Sequence, residues 1–352
     1  MKSSDSFGFY LNKYFSSYLP GQRGLSTNSI LSYRDTFSLF ILFLKTEMKI
    51  RPENLDMSFM TKDLLLDFTK WLEETRKYSL SSRNQRFVIL RTFCKWLSTE
   101  NPKYLKLLED ISEIKLKKAP KPTMTYLSTE AMEVLLSQPD SSTKNGLRDL
   151  SFLAFTYDTG ARVSEVINLK FKDIRFSAPS IVNITGKGNK SRIVPLMSQT
   201  VSYLKEYITR LQIDLEKSQE QYVFTNRSGG QLSRAGAKYI LDKYVTLGRE
   251  QKPALFPNKI SPHTLRHTKA MHMLQVGTNI VYIRDILGHT DLNTTERYAK
   301  ADTRMKRDAL KKAEIQMPQS EMPLKTSIGG LLDGIGIETD MAYWLKTFGT
   351  EK

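Results

Sequence analysis

Tyr298 lies in the segment LGHTDLNTTERYAK, where its phenol is a candidate nucleophile. A phenol has a pKa of about 10, so it attacks well only where cations and a base surround it. The same half of the chain supplies two arginines, two histidines and a lysine in short motifs. This set suits metal-free transesterification of a phosphodiester, in which the phenolic oxygen attacks phosphorus and arginines stabilise the charge on the non-bridging oxygens. A histidine would take the phenol proton, and a general acid would protonate the departing hydroxyl.

All four histidines of the chain lie between His263 and His289. A metal site could explain this bunching, but there is one cysteine and no HExxH motif, so no metal is predicted. In SPHTLRH, Ser261 is the predicted N-cap and Pro262 the first helical residue, which places His263 and Arg266 on one helical face. A helix N-terminus with these two side chains favours a phosphate site, and the alternative is a surface helix with incidental polar residues.

The segment DTGARVSEVINL also predicts the start of a helix that carries an arginine. Thr159 or Gly160 is predicted to turn the chain into a helix, with Arg162 in the first turn beside an apolar stripe. Glu165, three residues on, can orient the guanidinium of Arg162. The alternative interpretation is a surface ion pair.

Two short strands around a Gly-Lys-Gly-Asn turn are predicted from SIVNITGKGNKSRIVPL. Lys187 lies between the two glycines of this turn, where a mobile lysine could deliver a proton to a leaving oxygen. The spacing does not match the phosphate-binding loop G-x-x-x-x-G-K-S. A solvated hairpin tip is the alternative.

The corner that precedes Tyr298 is predicted from its glycine. Gly288 should end one helix in a left-handed conformation and place His289 on a fixed corner. Asn293 can then cap the next helix with Glu296 as its reciprocal partner. Tyr298 would lie in the second turn of that helix, near His289.

The first third of the chain is predicted to be helical from its apolar periodicity. Helices are expected over TNSILSYRDTFSLFILFLK, over MTKDLLLDFTKWLEE with Thr61 as N-cap, and over LSSRNQRFVILRTFCKWL. The last carries an apolar stripe over 87–96. The basic residues predicted beside this stripe, as candidate DNA contacts, are Arg83, Arg86 and Arg91. An ordinary solvated face is the alternative.

The chain is predicted to be mainly α with a small β-sheet, an α+β fold of two domains. In the second domain, helices are expected at about 198–215, 232–248, 262–276 and 279–287. A basic linker with two prolines carries the further candidate DNA contacts Lys115, Lys117 and Lys118. The predicted segments are a helical DNA-binding domain at 1–112, the linker at 113–125, a catalytic domain at 126–315 and a tail at 316–352. The tail contains DMAYWLKTF, a candidate amphipathic helix that could pack on its own chain.

The charge of the chain indicates a polyanionic partner. Its 352 residues carry a formal net charge of +16, with a pI near 9.6, and nucleic acid is the commonest partner of so basic a protein. The longest apolar run, FSLFILFLK, is too short to cross a membrane, so no membrane partner is expected. Cys94 is the single cysteine, which suits a reducing cytoplasm, and it is predicted to be a buried core residue.

Four motifs give the second domain a specific resemblance. TGARVSEVINL, ITGKGNKSRIVPL, HTLRH and LGHTDLNTTERYAK resemble those of the tyrosine recombinase (phage integrase) family, particularly its Xer-like members, in order and spacing. The resemblance extends from about residue 6 to about residue 310. It implies a C-shaped clamp of a helical core-binding domain and a mixed catalytic domain around double-stranded DNA. For the DMAYWLKTF segment it implies two alternatives, docking on a neighbouring protomer or binding an accessory protein.

The resemblance also implies a role for each motif residue. Arg162 and Arg266 would bind the phosphate, Lys187 would be the general acid, His263 the general base, His289 a transition-state hydrogen-bond donor, Glu165 a supporting residue and Tyr298 the nucleophile. A 3′-phosphotyrosyl ester would conserve the bond energy, so no ATP, metal or other cofactor is expected. The expected assembly is a homotetramer on two specific recombination sites, with an accessory or partner recombinase open, in the cytoplasm at the nucleoid.

Two other functions fit parts of the sequence. A type IB topoisomerase uses the same tyrosine chemistry, but the separate core-binding domain and the Xer-like motifs count against it. A DNA-binding regulator without catalysis would not need the tyrosine. Integration or transposition of a mobile element is the expected role, and chromosome-dimer resolution would use the same residues.

Overall fold

The computed structural model describes residues 6–51, 55–120, 124–289, 295, 296 and 298. The chain divides between residues 123 and 124 into two compact units. The described part is mostly helical with one three-stranded sheet, which confirms the predicted fold class. The division falls inside the predicted linker at 113–125, while the domain boundaries themselves stay a prediction.

The first unit contains five α-helices in its described part. They are α1 (Phe7–Lys13), α2 (Thr27–Thr46), α3 (Lys62–Glu74), α4 (Leu80–Glu100) and α5 (Leu105–Ser112). A π-helical segment, Tyr14–Gln22, continues α1, and two short 3₁₀ turns are formed by Met57–Phe59 and Pro102–Tyr104. Local capping explains where α3 begins, because the Thr61 hydroxyl accepts a hydrogen bond from Leu64 N at 3.2 Å.

The core of the first unit is aromatic, and α4 lies at its centre. Phe87, Leu90, Phe93 and Trp96 are all buried, as the apolar stripe predicts. Phe93 packs edge-on against Tyr14, with ring centroids 5.0 Å apart. Cys94 is buried in the same core, as predicted.

The second unit contains seven α-helices in its described part. They are α6 (Thr129–Ser137), α7 (Lys144–Thr159), α8 (Val163–Ile167), α9 (Ser198–Arg210), α10 (Arg234–Gln251), α11 (Pro262–Gln275) and α12 (Ile280–Leu287). Ser128 caps α6 through Ala131 N. Ser261 precedes α11, as predicted. The helix expected at 198–215 ends earlier, at Arg210, and Gln212 adopts a positive φ of 55°.

An antiparallel sheet lies in the second unit, in the order β1 (Ile174–Arg175), β2 (Ile181–Thr185) and β3 (Ser191–Pro195). The hairpin of β2 and β3 was predicted, and the two-residue β1 was not. Thr185 pairs with Ser191 at the closed end, next to a short turn at Lys187–Asn189. The buried residues Val182 and Ile184 alternate with exposed ones along β2, so one face of the sheet packs on the core.

A small apolar cluster between α11 and α12 surrounds Tyr298. Its buried members are Ala270, Met271, Leu274, Ile283, Leu287 and Tyr298. Gly288 ends α12 in the left-handed conformation, with φ 64°, as predicted. The predicted cap Asn293 and the DMAYWLKTF segment lie outside the described residues.

Candidate functional site

Arg266 is buried at the centre of the site and is held by two backbone carbonyls. Its side chain is 1% exposed, and its Nη1 and Nη2 donate to Gly160 O at 2.9 Å and to Leu287 O at 2.7 Å. Gly160 directly follows α7, and Leu287 is the last residue of α12. Carbonyls at helix C-termini lack an intrahelical donor and carry the negative end of the helix dipole. The two helix ends therefore fix the guanidinium without neutralising its charge.

The charge of Arg266 is left available to an anion. Burial, followed by the nearby charge of Arg162, lowers the pKa of Arg266 to about 10, so the side chain stays protonated at neutral pH. Its Nε is buried without a hydrogen-bond partner. Among the described residues, no carboxylate forms an ion pair with it. A buried cation of this kind favours an anion that brings acceptor oxygens.

Glu165 joins two further arginines at the same place. Its Oε1 accepts from Arg162 Nη1 at 2.8 Å, and its Oε2 accepts from Arg192 Nη2 at 2.8 Å. The backbone N–H of Arg162 also donates to Oε2, at 2.9 Å. Burial acts to raise the pKa of Glu165, but the hydrogen bonds and charges of the arginines outweigh it, so its pKa lies below the usual value. The ionised carboxylate orients both guanidinium groups, as predicted for Arg162.

The position of Arg162 differs slightly from the prediction. It is the residue that precedes α8 and has an extended conformation, whereas the first turn of the helix was expected. The reason is Gly160, which ends α7 with φ 56° and leaves two residues before α8 begins. The Arg162 side chain is 38% exposed, so it is the accessible arginine of the group.

Arg192 is a site residue that was not predicted from the sequence. Its Nε donates to Ile286 O at 2.7 Å, so it ties β3 to the last turn of α12 as well as to Glu165. A signal was present, because alternation along β3 places Arg192 on the same face as the buried Val194. A charged side chain on an inward face needs a partner.

The hairpin turn approaches Glu165 through a glycine. A Cβ at Gly186 would lie 3.0 Å from Glu165 Oε1, so a side chain at this position would crowd the carboxylate. Lys187 follows immediately and begins the short turn. The structure describes the backbone of Lys187 but not its side chain, so its role as general acid stays a prediction.

The phenol of Tyr298 lies between two histidines. Its oxygen is 3.0 Å from His267 Nδ1, and its ring lies parallel to that of His289, with centroids 6.2 Å apart. His289 Nδ1 lies 2.9 Å from Thr295 Oγ1. The structure therefore brings Tyr298 and His289 together, as the sequence analysis expected. His267 was not identified, although it follows His263 by four residues and so shares its helical face.

His289 lies in the electrostatic field of the whole group. Burial, then the charges of Arg266, Arg162, His263 and Arg192, lower its pKa to about 4. The imidazole is therefore neutral at neutral pH and carries one N–H donor. His263 is exposed at the start of α11, with its ring centroid 4.4 Å from that of His267. Its predicted role as general base is untested by this arrangement.

Arg83 corrects one predicted DNA contact. Its side chain is 4% exposed, and its Nη2 donates to Thr69 Oγ1 at 2.8 Å. Its Nε lies 2.9 Å from Glu73 Oε1, within ion-pair distance although not aligned as a hydrogen bond. Arg83 precedes Phe87 by four residues and thus lies on the buried stripe of α4. It is a structural ion-pair residue, and its guanidinium is not available to a phosphate.

The other candidate DNA contacts remain accessible to different degrees. Arg86 and Arg91 are partly exposed and lie over the rings of Tyr78 and Phe87, at 4.7 and 5.8 Å from the centroids. The exposed lysines after α5 are Lys115, Lys117 and Lys118. Lys117 pairs with Glu73 at 2.7 Å. These five residues keep their DNA-binding role as a prediction.

A metal-binding cluster and a membrane-spanning helix are both absent from the described residues. No group of three or more histidine, cysteine, aspartate or glutamate side chains in this part of the chain is placed to hold a metal ion. No described helix is both long and apolar enough to cross a membrane.

Two sequence profiles match this chain. The profile of the Phage integrase family matches residues 125–305, and that of the Phage integrase N-terminal SAM-like domain matches residues 12–101. A putative integrase/recombinase, y4rC, of Sinorhizobium fredii is 31% identical over 302 residues, which cover 86% of this chain and 90% of the relative. The tyrosine recombinase XerD of Corynebacterium glutamicum is 29% identical over 288 residues, covering 82% and 92%.

Solved structures share the fold. The XerH site-specific recombinase, bound to palindromic difH substrate in a post-cleavage complex, aligns with a TM-score of 0.65 and 22% identity over 82% of this chain and 80% of that one. The integrase of the Tn1549 transposon, in complex with transposon right end DNA, aligns with a TM-score of 0.65 and 14% identity over 84% and 96%.

Proposed function

We propose that this chain, which belongs to the phage integrase family of tyrosine recombinases, cuts and rejoins DNA at specific sites through a phosphotyrosyl intermediate formed by Tyr298. The observation that carries the proposal is Arg266, a buried guanidinium that is held by carbonyls and has an orphan Nε. A phosphodiester would supply the missing negative charge and the acceptor oxygens.

The proposed reaction begins with the phenol oxygen of Tyr298 attacking phosphorus. Arg162 and Arg266 stabilise the charge that develops on the non-bridging oxygens, and Glu165 holds Arg162 in place. His289, neutral at neutral pH, donates a hydrogen bond to the same oxygens. The DNA becomes a 3′-phosphotyrosyl ester, and the leaving 5′-hydroxyl takes its proton from Lys187.

Rejoining follows by the reverse chemistry. The 5′-hydroxyl of a partner strand attacks the tyrosyl ester, and the phenol of Tyr298 is restored. Because the ester conserves the energy of the phosphodiester bond, the proposed cycle consumes no ATP, and charge stabilisation comes from side chains rather than from a metal ion. A histidine acts as general base in this scheme, His263 by resemblance.

The proposed partner is double-stranded DNA. Four protomers would assemble on two recombination sites, with an accessory or partner recombinase as a further component. The net charge of +16 supports a polyanionic partner. The candidate contacts in the first unit are Arg86, Arg91, Lys115, Lys117 and Lys118.

The proposed role is integration or transposition of a mobile element. The relative from Sinorhizobium fredii is named as a putative integrase/recombinase, and one structural neighbour is a transposon integrase, which supports this choice. The proposed location is the cytoplasm, at the nucleoid.

Capture of covalent adducts tests the proposal and requires no defined DNA site. Protein–DNA adducts are isolated from cells that express the chain, the Tyr298→Phe variant or the Tyr282→Phe variant, and the attached DNA is sequenced. Tyr282 lies on α12 and is 66% exposed, so its variant removes a phenol oxygen without touching the buried cluster. Adducts at a few related sequences are expected from the wild type and Tyr282→Phe, and none from Tyr298→Phe.

Other outcomes would exclude the proposal in different ways. Scattered adducts that depend on Tyr298 would identify topoisomerase chemistry. Adducts that persist in Tyr298→Phe would assign the nucleophile to another residue. Sequence-specific DNA binding without adducts in any variant would indicate a regulator.

A further inference from the structure

His267 contacts the phenol oxygen of Tyr298 through a ring nitrogen. The distance from Nδ1 to the phenol oxygen is 3.0 Å, within the range required of a general base and the proton it removes. The ring centroids are 5.6 Å apart at 60°, so the imidazole meets the phenol edge-on. A phenol that attacks phosphorus must lose its proton, and this nitrogen is in position to receive it.

We infer that His267 is a catalytic residue of the reaction proposed above: it accepts the phenol proton of Tyr298 when a strand is cut and returns it when the strand is rejoined. The inference rests on the proposed function and deepens it. His267 is the last residue of the HTLRH motif, and the motif resemblance assigned it no role.

The fold holds His267 rigidly. It follows Arg266 in α11, and both terminal nitrogens of Arg266 are fixed by carbonyls of Gly160 and Leu287. The backbone that carries His267 is thereby tied to the ends of α7 and α12. Tyr298 packs against Leu287 and other residues of α11 and α12 in one buried cluster. The proton donor and its acceptor therefore share one rigid support, which general base catalysis requires.

His263 provides a continuation toward solvent. Its ring centroid lies 4.4 Å from that of His267, at an interplanar angle of 75°, and its side chain is exposed. When Nδ1 of His267 faces the phenol, Nε2 lies on the opposite edge of the ring. His263 is therefore an exposed titratable ring in contact with His267. In this inference the two histidines divide the task that the resemblance assigns to His263 alone.

The proton balance of each half-reaction closes within these groups. In cleavage, the O–H bond of Tyr298 breaks, its proton goes to Nδ1 of His267, and the phenolic oxygen forms the new bond to phosphorus. The bond from phosphorus to the 5′ oxygen breaks, and that oxygen takes a proton from Lys187. In rejoining, the 5′-hydroxyl of the partner strand gives its proton to the neutral Lys187 amine and forms the new bond to phosphorus. The tyrosyl oxygen leaves phosphorus and takes the proton back from His267.

A second histidine–tyrosine pair on α11 provides the matched control. His272 Nδ1 lies 2.8 Å from the phenol oxygen of Tyr157, and its Nε2 lies 2.9 Å from Leu127 O. The carbonyl can only accept, so Nε2 donates and Nδ1 accepts from the phenol. The pair has the same contact from Nδ1 to a phenol oxygen as His267 and Tyr298, but it joins α7 to the segment before α6. A variant at His272 therefore reports the structural cost of losing such a contact.

Single-turnover formation of the covalent adduct tests the inference, on a duplex that carries the site recovered by adduct sequencing. The variants are His267→Ala, His267→Asn and His272→Asn. The asparagine amide oxygen can take the position of Nδ1 and accept the phenol hydrogen bond, but it cannot take the proton. His267→Ala and His267→Asn are both expected to form adduct about 100-fold more slowly or worse, with DNA affinity within about threefold of wild type. His272→Asn should keep the wild-type rate in its folded fraction.

Two results would overturn the inference. A His267→Asn rate near wild type would leave His267 only a positioning role. A His263→Ala variant that loses 100-fold beside a His267→Ala variant that loses less than threefold would make His263 the base. The wild-type protein distinguishes a failure of this inference from a failure of the proposed function. If the wild type forms no adduct, the proposed function itself is wrong.

Fluorinated tyrosine at position 298 gives two further readouts. A fluorinated phenol is more acidic and needs less help from a base, so the loss caused by His267→Ala should shrink at least tenfold; an unchanged loss would contradict proton transfer. In the protein without DNA, the ¹⁹F resonance of 3-fluorotyrosine should shift in His267→Ala and stay in place in His272→Asn. If the resonance does not change in His267→Ala, the contact between His267 and Tyr298 does not exist, and the inference is wrong whatever the activity.

Discussion

The guanidinium of Arg266 is held in a fixed position, and its positive charge is still available to bind an anion. Its acceptors are backbone carbonyls, which fix the guanidinium in position but carry no full charge. A carboxylate partner would have lowered the electrostatic cost of burial and would also have occupied the place of a phosphate. Glu165 accepts hydrogen bonds from Arg162 and Arg192 instead, so the group contains three arginines and one carboxylate.

Arg192 is expected to support catalysis through Glu165 and not through DNA affinity. Arg192→Ala removes one arginine from Glu165 and the bond to Ile286 O, so Arg162 and the end of α12 lose their alignment. Adduct formation should slow by about 100-fold, as for other small misplacements of reacting groups. DNA binding should change by less than about threefold. The control is Arg175→Ala on β1, which removes an exposed arginine from the same sheet.

A second prediction at the residue scale concerns pH. The pKa of His289 is about 4 in the folded protein and about 6.5 when unperturbed, so between these values only the unfolded chain takes up the proton. The free energy of unfolding should therefore fall as pH drops from about 6.5 to 4, and this contribution should level off below 4. His289→Asn should lose that part of the dependence, as measured by chemical denaturation across this range. Parallel curves for the two proteins would contradict the shift.

At the scale of elements, two helix ends and a hairpin position the site. Gly160 and Gly288 both have positive φ and stop α7 and α12 where their carbonyls face arginines. Neither has room for a side chain. A Cβ at Gly160 would lie 2.6 Å from Leu287 Cδ2, and one at Gly288 would lie 2.9 Å from Arg192 Cδ.

Alanine at either glycine should weaken both the fold and the site. Left-handed backbone costs an alanine about 1 kcal/mol, and the clash adds about 1–3 kcal/mol. Gly277→Ala separates the two terms, because Gly277 has φ 84° and open space around its Cβ position. Gly277→Ala should lose about 1 kcal/mol in urea denaturation with an unchanged adduct rate. Gly160→Ala and Gly288→Ala should lose more stability and form adduct more slowly, and equal losses in all three variants would refute the role of the clash.

The elements themselves were largely predictable, because their signals are local. Thr61 and Gly288 are capping residues that act within a few positions of the chain. Thr61 begins a helix and Gly288 ends one, as expected. The hairpin followed from its turn composition. The two-residue strand β1 had no such signal, since it is fixed only by pairing with β2.

Contacts between distant elements were harder to predict. Arg192 meets Glu165 and α12, and His267 meets Tyr298, only after the chain has folded. Periodicity gave partial signals, since Arg192 shares a strand face with Val194 and His267 a helix face with His263. The prediction for Arg83 was wrong for a different reason, because the signal was local. Its spacing of four residues from Phe87 puts it on the buried side of α4, and it should not have been grouped with Arg86 and Arg91.

At the scale of the whole molecule, charge is arranged in two ways. Inside the units, arginines such as Arg83 and Arg192 are paired with carboxylates and contribute to structure. After α5, Lys115 and Lys118 are exposed, while Lys117 is bound to α3 and α4: its Nζ pairs with Glu73 and its carbonyl accepts from Asn84, at 2.7 Å each. The net charge therefore overstates the number of cations that are free to meet a polyanion.

The salt dependence of DNA binding measures how many cationic side chains contact phosphates. Each phosphate contact releases counterions, so the logarithm of the association constant falls linearly with the logarithm of salt concentration, by about 0.9 per contact. Arg91→Ala should weaken binding and reduce this slope by about one, with stability unchanged, because Arg91 is a partly exposed candidate contact. Arg83→Ala should leave the slope unchanged and cost about 3 kcal/mol of stability, since Glu73 and Thr69 lose their buried partner. The measurements are fluorescence anisotropy over a salt series and urea denaturation of both variants. A reduced slope in Arg83→Ala would show that Arg83 contacts DNA after all. An unchanged slope in Arg91→Ala would show that Arg91 does not.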